Sequence, residues 1–84
     1  MTQGSYLLIQ RGMTVRGEDG DLGKVHEIVA EEAADVFRGI VVSHGLVPPR
    51  RAFVAAEQVE RVTDDSIVYV TIRKADFDSL PESG

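Results

Sequence analysis

Met13-Thr14-Val15-Arg16-Gly17-Glu18-Asp19-Gly20-Asp21-Leu22-Gly23-Lys24-Val25 is the stretch that decides the fold class. Residues 13–16 alternate apolar and polar with a period of two, the pattern of a half-buried strand. Asp19-Gly20 then interrupts the run. It is the strongest hairpin signal in the chain, because a type I′ turn, or a type I turn with a G1 bulge, needs positive φ that glycine adopts without strain. Residues 22–30 read as the return strand, with Gly23 near its start marking a bulge or a close backbone approach. Gly12, Gly20 and Gly23 are therefore assigned to turn or bulge positions.

The same logic extends along the chain. Val and Ile together occur seventeen times and Leu five times, and β-branched side chains pack well on a pleated surface. Glu31-Glu32-Ala33-Ala34-Asp35 is too short to stand as a helix and reads as a loop between antiparallel strands. Residues 36–44 form the next strand, apolar on both faces around Ile40, Val41 and Val42. Pro48-Pro49 cannot continue a ladder, because neither residue has an N–H. Residues 50–55 resume as a strand, and Ala56-Glu57-Gln58 makes one helical turn with Val59 pointing inward. Residues 60–63 and 66–73 are two strands joined by Asp64-Asp65. A last helical turn in the tail would face Phe77 and Leu80 to the body together.

The ordered set Gly12-Met13-Thr14-Val15, Asp19-Gly20-Asp21-Leu22-Gly23-Lys24-Val25, Ile40-Val41-Val42, Phe53-Val54-Ala55-Ala56-Glu57-Gln58-Val59 and Ile67-Val68-Tyr69-Val70 resembles the PRC-barrel family. Ala55 departs from it, standing where the family often has proline. The resemblance implies an all-β domain over residues 6–81: a small, strongly bent antiparallel β-barrel of about six strands with a short C-terminal helical turn. Residues 1–5 and 82–84 are expected to be flexible termini. The family includes the cytoplasmic barrel of the photosynthetic reaction-centre H subunit, a ribosome-maturation factor, and free-standing bacterial and archaeal proteins. The resemblance implies a stand-alone adaptor that docks other proteins and has no common catalytic apparatus.

Composition narrows the chemistry. The 84 residues carry no cysteine, which excludes disulfides, thiolate metal sites and cysteine nucleophiles. The longest apolar runs fall far short of the roughly 20 residues that span a bilayer. The N-terminus has no secretory pattern, so a cytoplasmic protein without membrane insertion is expected. A net charge of −5 repels nucleic acid at long range.

Few residues offer a site. Glu18, Asp19 and Asp21 cluster carboxylates, but the loop lacks the ligand spacing of a calcium-binding EF-hand and reads more simply as a solvated turn. Gly17, Gly20 and Gly23 match neither a dinucleotide fingerprint nor a P-loop. His26 and His44 lie on different strands and join no nucleophile, so neither catalytic residues nor cofactor or metal are expected. Arg50 and Arg51, with Arg38 and Arg73 brought near by the fold, make a candidate basic patch. Val47, Pro48, Pro49, Phe53 and Tyr69 add apolar groups beyond what a small interior needs. An interaction surface is therefore expected at Arg38, Val41, Arg50, Arg51, Phe53 and Tyr69, centred on Val41, Phe53 and Tyr69. A core this small gains from association, so a homodimer is expected, or order acquired with an unidentified protein partner. The alternative is a β-barrel that binds RNA in ribosome or RNA metabolism. It is disfavoured because aromatic and basic residues adjoin on one strand only, at Arg50-Arg51-Ala52-Phe53.

Overall fold

A computed structural model describes residues 8–34, 36–45 and 50–81. Six strands form one sheet: β1 (Thr14–Gly17), β2 (Gly20–Glu31), β3 (Val36–His44), β4 (Arg50–Ala55), β5 (Val59–Val62) and β6 (Ile67–Val70). A short helix, α1 (Lys74–Phe77), follows. Single 3-10 turns occupy Glu32–Ala34 and Ala56–Gln58. The expected flexible termini and the segment 46–49, with Val47, Pro48 and Pro49, lie outside the described residues.

The sheet order is β4-β3-β2-β1-β6-β5. All neighbours are antiparallel except β1 and β6, which run parallel with Thr14 beside Ile67, Val15 beside Val68 and Arg16 beside Tyr69. This corrects the expected antiparallel barrel in two respects. The sheet is mixed, because β6 leaves its hairpin with β5 running in the direction of β1. Its ladder is also open, ending at β4 and β5 without a hydrogen-bonded seam between them.

The sheet nonetheless encloses one core. Val15, Leu22, Val25, Ile40, Val42, Ala52, Val54, Val68 and Val70 meet in a single buried cluster with Ile9, Met13, Ile72 and Phe77. Val59 and Val62 of β5 and Leu80 of the tail pack against it. Both edge strands thus contribute to the same interior, which requires a curled sheet. Bulges supply the bending: the register shifts within β1–β2, twice along β2–β3, and within β5–β6.

The first hairpin closes through Glu18 and Asp19, with Gly17 opposite Gly20. Of the two candidate geometries, type I′ is excluded, since it needs positive φ at both central residues and neither Glu18 nor Asp19 has it; the positive φ falls on Gly20 (φ +135°), just after them. At Gly23 (φ +159°) the β1–β2 register shifts so that Leu22 is the extra residue. The Ser43 backbone carbonyl occupies the space where a side chain at Gly23 would begin. Gly12 (φ +90°) turns the chain into β1. The departure at Ala55 also has a use: its N–H donates to Gln58 Oε1 at 3.2 Å, a bond proline could not make.

After β6 the chain folds back along the first hairpin. Ile72 O accepts the Glu18 N–H at 2.9 Å, and Asp19 Oδ1 accepts the Lys74 N–H at 2.9 Å, satisfying an amide at the start of α1. The tail then reaches β4, where the Phe53 N–H donates to Pro81 O at 3.0 Å. That bond covers part of an otherwise open sheet edge.

Candidate functional site

The expected interaction residues do not form one patch. Arg50 Nη2 donates to the carbonyl oxygens of Asp78 (3.0 Å), Leu80 (3.1 Å) and Phe77 (3.4 Å). Its guanidinium also lies 5.8 Å from the centre of the Phe77 ring. The three carbonyls lie at the last helical residue and in the turn that follows it, so Arg50 clamps the C-terminal turn to β4. Arg51 stands opposite Ser43 and is half-buried, and its Nε meets no hydrogen-bond partner among the described residues.

Arg38 holds Glu31 through two hydrogen bonds, at 2.6 and 3.0 Å. It lies six residues along β3 from His44, the residue that pairs with Arg50, hence about 20 Å away at roughly 3.3 Å per residue. Arg73 faces Glu18 at 3.5 Å. Arg38, Arg50 and Arg73 thus make separate structural contacts.

Val41 is 3% exposed and cannot centre a surface. β3 is an interior strand, and Val41 has Glu27 on one side and Phe53 on the other. Phe53 is half-buried, and its ring lies against Gly39. Tyr69, on β6, is three strands along the sheet from Val41.

The acidic hairpin resolves into three contacts. Glu18 faces Arg73, Asp19 caps α1, and Asp21 Oδ1 accepts the Arg16 Nε–H at 2.6 Å. That hydrogen bond, with further attraction from Arg16, Lys74 and Lys24, holds the Asp21 carboxyl below its ordinary pKa against the opposing effect of desolvation. Arg16 is raised correspondingly, chiefly by Asp21 and more weakly by the Tyr69 hydroxyl. Among the described residues, no three His, Asp or Glu side chains converge as a metal site.

His44 Nδ1 is 2.6 Å from Leu22 O. A carbonyl only accepts, so Nδ1 carries the proton. The ring also packs edge-on against Phe77, 5.7 Å between centres. Between this pair and the hairpin is a cleft of about 240 Å³ lined by Asp21, Leu22, His44, Lys74, Phe77 and Asp78, below the roughly 300–1,000 Å³ usual for small-molecule sites. His26 is exposed at a bulge of β2.

Tyr69, expected at the surface, belongs to a row across the outer face whose other members were missed in reading the chain. Arg16 on β1 sits beside Tyr69 on β6, and Tyr69 sits opposite Arg61 on β5. The guanidiniums of Arg61 and Arg16 lie 4.4 and 5.9 Å from the Tyr69 ring centre. One row away, Thr14 stands between Lys24 and Ile67, with Lys24 Nζ 3.3 Å from Thr14 Oγ1. Half of this was locally readable: a hairpin turning about Asp64-Asp65 places residue 61 opposite residue 69. The Arg16 half depends on the parallel β1–β6 pairing, which no local pattern announces.

The six-strand order, the bulged first hairpin and the helical turn that ends in Phe77 are now joined by a comparison: the model of the PRC-barrel domain matches residues 11–77. The chain belongs to the PRC-barrel family. No curated protein matches it. The matched span takes in every strand of the PRC-barrel domain and α1. Among the described residues, no helix is long and apolar enough to cross a membrane.

Proposed function

We propose that this PRC-barrel domain is a non-enzymatic protein-interaction module, an adaptor that works in the cytoplasm and self-associates. The observation that carries the reading is the outward row of Arg16, Tyr69 and Arg61. Tyrosine and arginine are the side chains that most often anchor protein interfaces, and a half-buried ring held between guanidiniums is rigid before a partner arrives. Several of the polar groups with chemical capacity are engaged in contacts that support the fold. Asp19 caps a helix, Asp21 holds Arg16, and His44 Nδ1 is bonded to Leu22.

Self-association draws support from the small core and from the sheet, which among the described residues ends at β5. It is measured by analytical ultracentrifugation at micromolar concentration, where a dimer is the expected result. Because Val41 is buried, Val41→Asp would unfold the chain, so the informative variants are on the outer row. The adaptor reading itself is tested by affinity capture from host cells, followed by titration of the purified captured protein against the purified domain. A captured protein that rebinds stoichiometrically supports it. A domain that rebinds nothing overturns it.

A further inference from the structure

The outer row has a charge opposite to that of the molecule. The chain as a whole carries −5, while Lys24, Arg16 and Arg61 face outward in two adjacent rows in which Asp21 is the one carboxylate among the described residues. Three cations against one anion leave an excess of two positive charges. Asp21 engages Arg16, whereas among the described residues neither Arg61 nor Lys24 has a carboxylate within ion-pair distance. Half-buried Tyr69 and Ile67 lie between these two cations.

We propose that this face docks an extended acidic segment of a partner protein, with one carboxylate on Arg61, one on Lys24, and an apolar side chain between them over Tyr69 and Ile67. The proposal rests on the interaction-module reading and names the surface and the chemistry of its partner. Spacing supports it. β2 and β5 are three strands apart in the sheet, about 14 Å at roughly 4.8 Å per strand. Lys24 lies one row along from Arg61, two residues or about 6.6 Å, so the two positions are about 16 Å apart. The long Arg61 and Lys24 side chains bring that span within reach of one extended segment. In an extended peptide, residues i and i+4 are about 13 Å apart on one face, with i+2 between them. Arg61 stacked on Tyr69 presents a preorganised fork to a carboxylate, so less side-chain freedom is lost on binding. Arg16 acts as a positioning residue, holding the other side of the ring while bonded to Asp21.

Nucleic acid fits this face less well. Single strands bind by stacking bases on open aromatic faces, and the Tyr69 ring already carries guanidinium neighbours. The overall negative charge also opposes a polyphosphate, with one charge per nucleotide, more than a segment with two carboxylates.

The test is a titration of the ¹⁵N-labelled chain, followed by NMR, with the peptide Ser-Glu-Thr-Val-Thr-Glu-Ser, its ends blocked. A glutamine version, Ser-Gln-Thr-Val-Thr-Gln-Ser, is the control, and octauridylate is the competing ligand class. The expected result is saturable shifts at residues 14–16, 24, 61 and 67–69, about tenfold weaker with the glutamine peptide or with Arg61→Glu. Lys24→Glu should weaken binding similarly, and both variants should keep the wild-type melting temperature. Shifts that are absent at about millimolar peptide, that fall on another face, or that octauridylate produces at lower concentration overturn the proposal. A dimer that dissociates in Arg61→Glu while the peptide leaves the row unshifted also overturns it, giving the face to a second copy of the chain. If a captured partner binds Arg61→Glu and Lys24→Glu as tightly as wild type, this surface assignment fails and the adaptor reading stands. A chain that rebinds no protein removes the adaptor reading itself.

Discussion

Ser66 has φ +67°, the one positive φ outside glycine among the described residues. It closes the β5–β6 turn, where the Ser66 N–H donates to Thr63 O at 3.2 Å and the Thr63 N–H to Ile67 O at 3.0 Å. A side chain in this region costs about 1–2 kcal/mol, and glycine would relieve it at some expense of unfolded-state entropy. Ser66→Gly should therefore stabilise by about 0.5 kcal/mol, raising the melting temperature by about 2–4 °C. Gly23 is the opposite case, because a Cβ there would meet the Ser43 carbonyl backbone rather than a yielding side chain. Gly23→Ala should lose about 2–3 kcal/mol in urea denaturation, and an unchanged midpoint would contradict the bulge geometry. Asp21 makes a pH prediction. Its pKa is lowered in the folded chain, so its stabilising contribution is complete above the unfolded carboxylate value of about 3.9 and is lost as pH falls through the folded value below it. The melting-temperature difference between wild type and Asp21→Asn should hence be present near neutrality and vanish in strong acid.

At the scale of elements, the C-terminal turn is held from three sides: Asp19 at its start, Arg50 at its end, and Phe53 N–H beyond it. Arg50→Ala removes a charged donor to three carbonyls and should cost about 1–3 kcal/mol. It should also speed hydrogen exchange at the Phe53 amide, whose acceptor is Pro81 O. Arg50→Lys should restore little of this, because an ammonium lacks the planar fork. An unchanged Phe53 exchange rate in Arg50→Ala would show that the tail is held by something else. These contacts also explain why the arginines misled the reading of the chain. Arg50 and Arg51 are adjacent in sequence and look like a patch, yet the partners that absorb Arg50 lie about thirty residues onward. Val41 misled in a similar way, since an apolar residue on the second face of a strand looks exposed until both neighbouring strands are in place.

Over the whole molecule, what was legible was local. The strands, the Asp19-Gly20 and Asp64-Asp65 reversals, the Ala56–Gln58 turn and the inward Phe77 and Leu80 all follow from period-two patterning and turn chemistry within about ten residues. The parallel β1–β6 pairing was not legible, because it joins segments roughly fifty residues apart with no register signal of its own. That pairing builds the Arg16–Tyr69–Arg61 row, so the candidate site was hidden with it. The arginines fall into two sets: Arg50 maintains the fold, and Arg61 is the proposed partner contact. The most direct measurement compares wild type, Arg50→Ala and Arg61→Glu for melting temperature and for binding of the purified captured partner by calorimetry. Arg61→Glu should melt like wild type and lose the partner, whereas Arg50→Ala should melt lower and still bind at temperatures where it is folded. A folded Arg61→Glu that binds as tightly as wild type would contradict the Arg61 assignment.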